Sequence, residues 1–302
     1  MNFEQYRRDR TSRLGGNLSL SDTGEEARLT FERDKLLRSI VDATRGLPGA
    51  VAFHTFGSLV EGHGDGWSDL DVEIMTTDVE LSRDCLFSIL AKVRPMQLAW
   101  VIDSRPDHWS GSVVFQETSL FHKLDLGIWS IHDFDQSSMP QTSMLLWSQP
   151  APQGMGRLEL AEPPFLPQRE SGQHVVLGHL LSIVRYVKAR KRGNLAMCWR
   201  FASALADAVF AAMYRRTGSR EPNHGRLGTR EYQALDRQVP RIVSLELMSL
   251  LDFSSPAAMD RAVYLLMHEL VDAFSEGSDP QYIPAPILGR FYAFARRELA
   301  IL

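Results

Sequence analysis

Two aspartates, Asp69 and Asp71, are the residues whose type and spacing most clearly suggest chemistry in this sequence. They begin an apolar run with the alternation of a β-strand, so both side chains are expected on one face, about 7 Å apart along the backbone. Carboxylates held side by side repel each other unless a cation lies between them, and hard oxygen ligands suit Mg²⁺. The pair therefore predicts a magnesium site.

A Gly-Ser pair, Gly57-Ser58, ends the apolar run that comes before the two aspartates. A glycine at this point lets the backbone approach a phosphate closely. The stretch 52–74 is thus predicted to form a strand, a turn with a glycine-rich connection, and a second strand. The alternative is a solvated turn before a strand with a polar face, but several acids on one face destabilise a half-buried strand unless they are paired or bind metal. Metal ligands beside a phosphate site indicate a nucleotide enzyme.

Hydrophobic periodicity predicts the elements that must position these residues. In the first half of the chain it predicts strands at 50–56, 70–76, 97–102, 112–116 and 120–129, and helices at 23–45 and 79–93. Asp78 is a suitable N-cap for the second of these helices. The polar turn at 117–119 indicates that the last two strands form a hairpin. Residues 1–14 are expected to be helical as well.

Prolines interrupt the segment 136–170, which is therefore predicted to cross between domains without regular elements. Beyond it the pattern predicts helices at 171–192, 195–217, 227–238, 240–252, 256–276 and 287–300. Asn194 and Ser255 are candidate helix caps. The predicted fold class is α+β, with a mixed β-sheet flanked by helices in domain 1–135 and an α-helical bundle in domain 171–302.

The composition is that of an ordinary globular protein. Of the 302 residues, 44% are hydrophobic and 23% are charged, which argues against a disordered chain. The net charge of -4 argues against general binding of nucleic acid through its phosphates. Cys85 and Cys198 provide neither a disulfide framework nor a CxxC zinc site. The segment MNFEQYRRDR lacks the apolar part of a signal peptide, and no run of about 18 apolar residues occurs, so a cytoplasmic protein without a membrane partner is expected.

Three segments, taken in order, resemble the nucleotidyltransferase superfamily that includes DNA polymerase β, and within it the lincosamide and aminoglycoside nucleotidyltransferases. They are GSLVEGHGDGWSDLDVEI, SVVFQETSLFHKLDLGIW and VKARKRGNLAMCWRF, of which the first is the specific one. The resemblance implies that Gly57 and Ser58 contact the phosphates of a nucleotide and that Asp69 and Asp71 bind Mg²⁺. It also implies that a helical half follows the catalytic domain and shapes the pocket for the acceptor.

The resemblance implies a third acid from a later strand, and Asp125 stands at the matching position in the apolar run LFHKLDLGIW. As the third ligand, Asp125 would help to bind a second ion and take the proton of the acceptor hydroxyl. An ion pair with Lys123 or with a helix lysine is the alternative explanation for this acid. Glu73 is the first alternative for the third ligand, followed by Glu117 and Asp103.

The densest group of cations lies in the helix predicted at 171–192. Arg185, Lys188 and Arg192 are spaced to share one face, beside an apolar stripe. Lys188 and Arg192 are therefore candidates for binding the triphosphate or the leaving pyrophosphate. The alternative is an ordinary helix end, where the helix dipole favours cations and where Gly193 marks the end of the helix.

The function that the resemblance implies is Mg²⁺-dependent transfer of a nucleoside monophosphate, with AMP from ATP as the expected case. The acceptor would be a hydroxyl of a small molecule, with a lincosamide or aminoglycoside antibiotic as the specific expectation, and pyrophosphate would leave. Resembling enzymes are often homodimers. Two alternatives stay open: a toxin–antitoxin-type enzyme that adds AMP to a partner protein, and a non-catalytic descendant that only binds nucleotide. The presence of both Asp69 and Asp71 argues against the non-catalytic alternative.

Overall fold

The computed structural model describes residues 20–62, 64–132, 143–150, 164–167, 171–216, 252–275 and 283–300. The chain divides into two compact units, Met1–Leu166 and Pro167–Leu302. The domain limits expected from the sequence stay a prediction.

A six-stranded mixed β-sheet forms the centre of the first unit. In chain order its elements are α1 (Leu20–Thr44), β1 (Ala50–Phe56), β2 (Leu70–Thr76), α2 (Val79–Ala91), β3 (Met96–Arg105), β4 (His108–Phe115), β5 (Leu124–Ser130) and β6 (Ser143–Ser148). The strand order across the sheet is β3-β4-β5-β2-β1-β6. β2 and β5 run parallel, whereas all other neighbouring strands are antiparallel.

Alternation along β2 separates the core of this unit from the face that carries the acids. Leu70, Val72 and Ile74 are fully buried in an apolar cluster with residues of α1, α2 and the neighbouring strands. Asp71 and Glu73 lie between them in sequence and are half-buried on the opposite face. The hydrophobic pattern therefore fixes the register of β2, because a slip of one residue would bury both carboxylates.

Two local predictions beside the sheet are confirmed. Asp78 caps α2, since its Oδ1 accepts a hydrogen bond from the N–H of Leu81 at 2.9 Å. The hairpin around residues 117–119 is present, because β4 pairs antiparallel with β5. These features depend on neighbouring residues, which is why the sequence predicts them well.

The strand predicted at 120–129 is wrong in its first part. Leu120–His122 forms one turn of 3₁₀-helix, which begins at Ser119, whose hydroxyl accepts a hydrogen bond from the N–H of Phe121. β5 begins only at Leu124. All three residues of the turn are buried, so the apolar character of Leu120 and Phe121 reflects the packing of a turn.

The prediction that 136–170 contains no regular element is also wrong. β6 pairs antiparallel with β1 at the edge of the sheet. Trp147 of this strand is buried and stacks on Phe53, with 6.2 Å between the ring centroids. Pro150, two residues after the strand, does not prevent the pairing, because an edge strand needs ladder hydrogen bonds on one side only and proline is tolerated at its ends.

The described part of the second unit is helical, with α3 (Gly172–Lys191), α4 (Leu195–Arg216), α5 (Pro256–Ser275) and α6 (Ala285–Glu298). Asn194 and Ser255 cap α4 and α5 as predicted, since their side-chain oxygens accept hydrogen bonds from the N–H groups of Met197 and Ala258. The predicted α+β class, with the sheet first and the helices second, is confirmed. The helices predicted at 1–14, 227–238 and 240–252 lie outside the described residues.

A buried network of polar groups joins α3 to α5. The hydroxyl of Tyr186 donates a hydrogen bond to Asp260 Oδ1 at 2.6 Å. Arg190 donates from Nε and Nη2 to the same carboxylate, at 2.9 Å each. Burial, and then the neighbouring Asp260 carboxylate, raise the pKa of the Tyr186 hydroxyl, so this group stays a donor. The ion pair of Arg190 with Asp260 and the hydrogen bond from Tyr186 together orient α3 against α5.

Within the described residues, one helical segment is long and apolar enough to cross a membrane by length and composition. It is Leu195–Ala212 of α4, with a mean hydropathy of 1.4. Half of this segment is buried within the chain, and it contains Arg200 and Asp207. A core helix of a globular protein has the same properties, so the segment is weak evidence for a membrane span.

Candidate active site

Three carboxylates meet on the acid-bearing face of the sheet. Asp71 on β2 stands directly beside Asp125 in the parallel register with β5, and Asp69 comes one residue before β2. Their ligand atoms all lie within 4.8 Å of one another, and the side chains are half-exposed. In the described part of the chain, these residues form the one group of three or more acidic, histidine or cysteine side chains with such spacing. We call them the acidic cluster.

The register of the two parallel strands creates the acidic cluster. Leu70 lies opposite Leu124 and Val72 opposite Leu126, and all four are buried. Because neighbouring parallel strands in register place the same face side by side, the alternating residues Asp71 and Asp125 are brought together on the other face. The apolar packing beneath the sheet therefore sets the position of the carboxylates above it.

The backbone of Gly57 lies against one member of the acidic cluster. Gly57 has a φ of +67°, and a β-carbon placed on it would be 2.7 Å from Asp71 Oδ2. It begins a 3₁₀ turn, Gly57–Leu59, in which its carbonyl accepts hydrogen bonds from the N–H groups of Val60 and Glu61. Ser58 lies in the same turn and is half-exposed. Both the backbone angle and the close contact require glycine at position 57.

The connection between the turn and β2 is held to α1 and to the turn before β5. Arg33, whose side chain is fully buried, donates a hydrogen bond to the carbonyl of Asp65. The Nε2 of buried His122 is bonded to the carbonyl of Gly66 at 2.9 Å. A β-carbon on Gly66 would lie 2.6 Å from the carbonyl oxygen of Glu26. These contacts fix the segment that leads into Asp69.

Asp125 is held by two donors. Ser112, on the neighbouring strand β4, donates a hydrogen bond from its hydroxyl to Asp125 Oδ1. Lys123 contacts Asp125 Oδ2, and its Nζ also lies 3.0 Å from Asp69 Oδ2. The structure thus contains both arrangements considered for this residue, since Asp125 belongs to the acidic cluster and is paired with Lys123.

Sequence reasoning missed the roles of Ser112, Arg33 and His122 at this site. A serine within a strand carries no distinctive pattern, and Ser112 meets Asp125 only through the pairing of β4 with β5. A buried arginine in an amphipathic helix cannot be told from an exposed one by spacing alone. The contact between Lys123 and Asp125 is the one that the sequence does indicate, because residues two apart on a strand share a face.

The other acids considered as a third ligand do not belong to the acidic cluster. Glu73 pairs across the strands with His54 and Gly127. Burial raises the pKa of Glu73, and a hydrogen bond from Trp129 partly offsets this effect. Asp103 forms an ion pair with Arg105 at 2.9 Å, and Glu117 lies in the turn before β5 with a φ of 54°.

The predicted basic face lies on α3. Lys188 is buried, and Arg192 is the exposed C-cap residue, whose N–H donates to the carbonyl of Lys188 at 3.1 Å. Two other cations of the cluster serve packing within the second unit, since Arg190 pairs with Asp260 and Lys191 Nζ lies 3.2 Å from Glu298 Oε2. Binding of nucleotide by Lys188 and Arg192 stays a prediction.

No protein-family model matches the chain, and no curated protein does. Among solved structures, it is similar to an aminoglycoside 6-adenyltransferase from Bacillus subtilis, with 14% identity, a TM-score of 0.30, and coverage of 87% of this chain and 98% of that chain. A STING-associated CdnE c-di-GMP synthase from Capnocytophaga granulosa is similar with 13% identity, a TM-score of 0.25, and coverage of 90% of this chain and 80% of that chain. At these identities and TM-scores the likenesses assign neither a fold nor a residue role to this chain, so the residue roles depend on its own geometry.

Proposed function

We propose that the chain is a Mg²⁺-dependent nucleotidyltransferase, which moves a nucleoside monophosphate from a nucleoside triphosphate to a hydroxyl group and releases pyrophosphate. The observation that carries the proposal is the convergence of Asp69, Asp71 and Asp125 within 4.8 Å, beside the backbone of Gly57. Oxygen ligands and a closely approaching backbone at one place suit the binding and positioning of a triphosphate.

The acidic cluster fits a magnesium ion. Its donors are carboxylate oxygens, which hard cations prefer, and Mg²⁺ is commonly bound by one or two carboxylates together with phosphate oxygens of the substrate. When bound, the ion would offset the negative charge that develops on the phosphate oxygens during transfer. Asp69 and Asp71 are the proposed principal ligands, with Asp125 as the third.

The turn at Gly57 and Ser58 is the proposed phosphate site. Position 57 has no side chain, so its backbone can lie beside both Asp71 and a phosphate group. The half-exposed Ser58 offers a hydroxyl and a backbone N–H in the same turn. These groups would hold the triphosphate in line with the incoming hydroxyl, which is the main contribution of positioning to catalysis.

We assign Asp125 the role of a ligand that is held in a fixed orientation. Its Oδ1 accepts a hydrogen bond from Ser112 and its Oδ2 contacts Lys123. A donor on each oxygen restricts rotation of the carboxylate, so its remaining lone pairs point in a fixed direction.

For the acceptor we propose a small hydroxylated molecule, with a lincosamide or an aminoglycoside as the class to test first and ATP as the nucleotide. The support is the sequence resemblance in the segment 57–74. The net charge of -4 is compatible with a cationic acceptor. A homodimer is part of the same proposal and rests on the resemblance as well, whereas the proposed cytoplasmic location rests on the composition of the sequence.

The test is incubation of the purified chain with Mg²⁺, each of the four ribonucleoside triphosphates and a panel of both antibiotic classes, followed by mass spectrometry and a pyrophosphate assay. A drug that gains the mass of a nucleoside monophosphate, with pyrophosphate released, supports the proposal. Asp84→Asn is a matched control for Asp71→Asn, because Asp84 is a surface acid on α2. Activity should survive in the control and be lost in Asp71→Asn.

Two results would contradict the small-molecule acceptor. A mass gain on a protein, after the chain is mixed with a cell extract, would favour the AMP-adding toxin–antitoxin-type alternative. Nucleotide binding without any product or pyrophosphate release would favour the non-catalytic alternative.

A further inference from the structure

The acidic cluster already contains a cation that belongs to the chain itself. Lys123, immediately before β5, has a fully buried side chain. Its Nζ lies 3.0 Å from Asp69 Oδ2 and also contacts Asp125 Oδ2. Lys123 therefore bridges two of the three acids, which are 56 positions apart in the sequence.

This arrangement offsets two unfavourable effects at once. Carboxylates whose ligand atoms lie within 4.8 Å repel each other strongly where water is partly excluded. A buried lysine ammonium is equally unfavourable unless a carboxylate compensates its charge. Placed together, the lysine and the two acids compensate one another.

The backbone fixes the position from which Lys123 reaches the acids. The carbonyl of Lys123 accepts a hydrogen bond from the N–H of Leu70 at 3.0 Å, so it takes part in the pairing of β2 with β5. Leu70 and Leu124 lie opposite each other and are fully buried. The ammonium is thus held between the ends of the two acid-bearing strands.

We propose that Lys123 is the resident counter-cation of the acidic cluster. It keeps Asp69 and Asp125 together when no metal is bound, and it moderates the affinity of the cluster for a divalent ion, since both cations are attracted to the same oxygens. Lys123 is a positioning residue, because it acts through the two carboxylates. The first part of the proposal needs only the ion pairs, whereas the second part rests on the proposed function.

A double-mutant cycle in EDTA tests the first part. Lys123→Met keeps most of the length and volume of the side chain without its charge, and it should lower the Tm by roughly 6–15 °C. Asp125→Asn should lower the Tm when Lys123 is present and raise it in the Lys123→Met background, where it relieves repulsion. Equal effects of Asp125→Asn in both backgrounds would overturn the counter-cation role.

A metal titration tests the second part. Mn²⁺ and Mg²⁺ are added to the wild type, to Lys123→Met and to Lys35→Met, a control in which an exposed helix lysine is replaced. Lys123→Met should show a larger metal-induced rise in Tm, and by calorimetry a Kd on the order of tenfold tighter. Lys35→Met should behave as the wild type. A rise in Lys123→Met no larger than in the wild type would overturn the second part of the proposal.

The two proposals fail in different ways. Absence of metal binding by the wild type would contradict the proposed function, while the cycle in EDTA would still decide the counter-cation role. If Lys123→Met does not fold in EDTA, Mn²⁺ should restore its folding, and Lys123→Arg, which keeps the charge, should fold without metal. The proposal is overturned if Lys123→Met stays unfolded with Mn²⁺ and Lys123→Arg does not fold without metal.

Discussion

Gly57 and Asp71 are in such close contact that a β-carbon on the glycine would lie 2.7 Å from the carboxylate Oδ2. The glycine belongs to the proposed phosphate site, and the aspartate is a proposed metal ligand. The proposed phosphate site and the proposed metal site are therefore in direct contact, so a change in the turn displaces the carboxylate.

The first prediction concerns the contact between Gly57 and Asp71, which replacement of the glycine tests. Gly57→Ala should lower kcat/KM by about 100-fold or more, because displacement of a positioned group by about 1 Å has an effect of this size. Pyrophosphate release with a fixed acceptor is the measurement. A variant with nearly wild-type kcat/KM would show that the carboxylate tolerates the β-carbon.

Gly193→Ala is the matched control for this substitution. Gly193 has a similar φ of +68°, and a β-carbon there would meet no atom within 4 Å. Both variants carry the strain of an alanine in the left-handed region, about 1 kcal/mol. A loss of activity in Gly57→Ala alone would therefore be due to contact with Asp71.

The second prediction concerns the charge of Asp71. Asp71→Asn should lower kcat by roughly 10²–10⁴-fold, because the amide is a weaker ligand for a hard cation. The fold should persist, since the side chain is half-exposed and its β2 neighbours remain buried. Circular dichroism together with the transfer assay measures both, and turnover near that of the wild type would contradict the assignment.

The third prediction concerns the hydroxyl that orients Asp125. Ser112→Ala should lower kcat/KM by roughly 10–100-fold, the range seen when partners of metal ligands are removed. Ser110→Ala is the control, because Ser110 is two residues along the same face of β4, opposite Gly127. Equal activity of the two variants would exclude a role for the Ser112 hydroxyl in orienting the carboxylate.

The fourth prediction concerns stability of the second unit. Tyr186→Phe should lower the free energy of unfolding by about 1–2 kcal/mol, because it removes a buried hydrogen bond to the side chain of Asp260. Urea unfolding followed by circular dichroism measures the change. An unaltered unfolding midpoint would show that Arg190 alone satisfies the carboxylate.

The fifth prediction concerns pH. Burial lowers the pKa of His108, an effect that Arg105 reinforces and that Asp103 and Asp107 oppose. The folded state therefore prefers neutral His108, while the unfolded chain binds a proton below pH of about 6.5, so stability should fall as pH decreases through that value. The slope from one such group is at most about 1.4 kcal/mol per pH unit.

His108→Asn should flatten this dependence, as measured by urea unfolding between pH of about 5 and 7.5. His132→Asn, at an exposed histidine, should keep the pH dependence of the wild type. If both variants have the wild-type slope, His108 does not contribute to the loss of stability in acid.

The central strands were predictable because their signal is local. β1 and β2 have the limits expected from the sequence, since alternation of apolar and polar residues has the period of a strand. Asp78, Asn194 and Ser255 were predictable caps for the same reason. β6 was missed because it is stable only through its pairing with β1, which a local pattern does not contain.

The two explanations of Asp125 illustrate the limit of sequence reasoning. Its position in an apolar run favoured a role as a metal ligand. The lysine two residues before it favoured an ion pair. In the structure Asp125 lies beside Asp71 and also contacts Lys123. The parallel pairing of β2 with β5 brings Asp71 beside Asp125 and places Lys123 against Asp69. No spacing within either strand predicts this pairing.

The sequence by itself determined the acid pair at 69 and 71, the glycine turn before it, and the order of sheet and helices, because these depend on residue type and local periodicity. Only the tertiary structure decided that Asp125 completes the acidic cluster, that Ser112 and Lys123 hold it, and that Gly57 lies against Asp71. These contacts join residues that are 13 or more positions apart, apart from that between Lys123 and Asp125. They form because burial of the apolar faces of the strands sets which strands become neighbours and in which register.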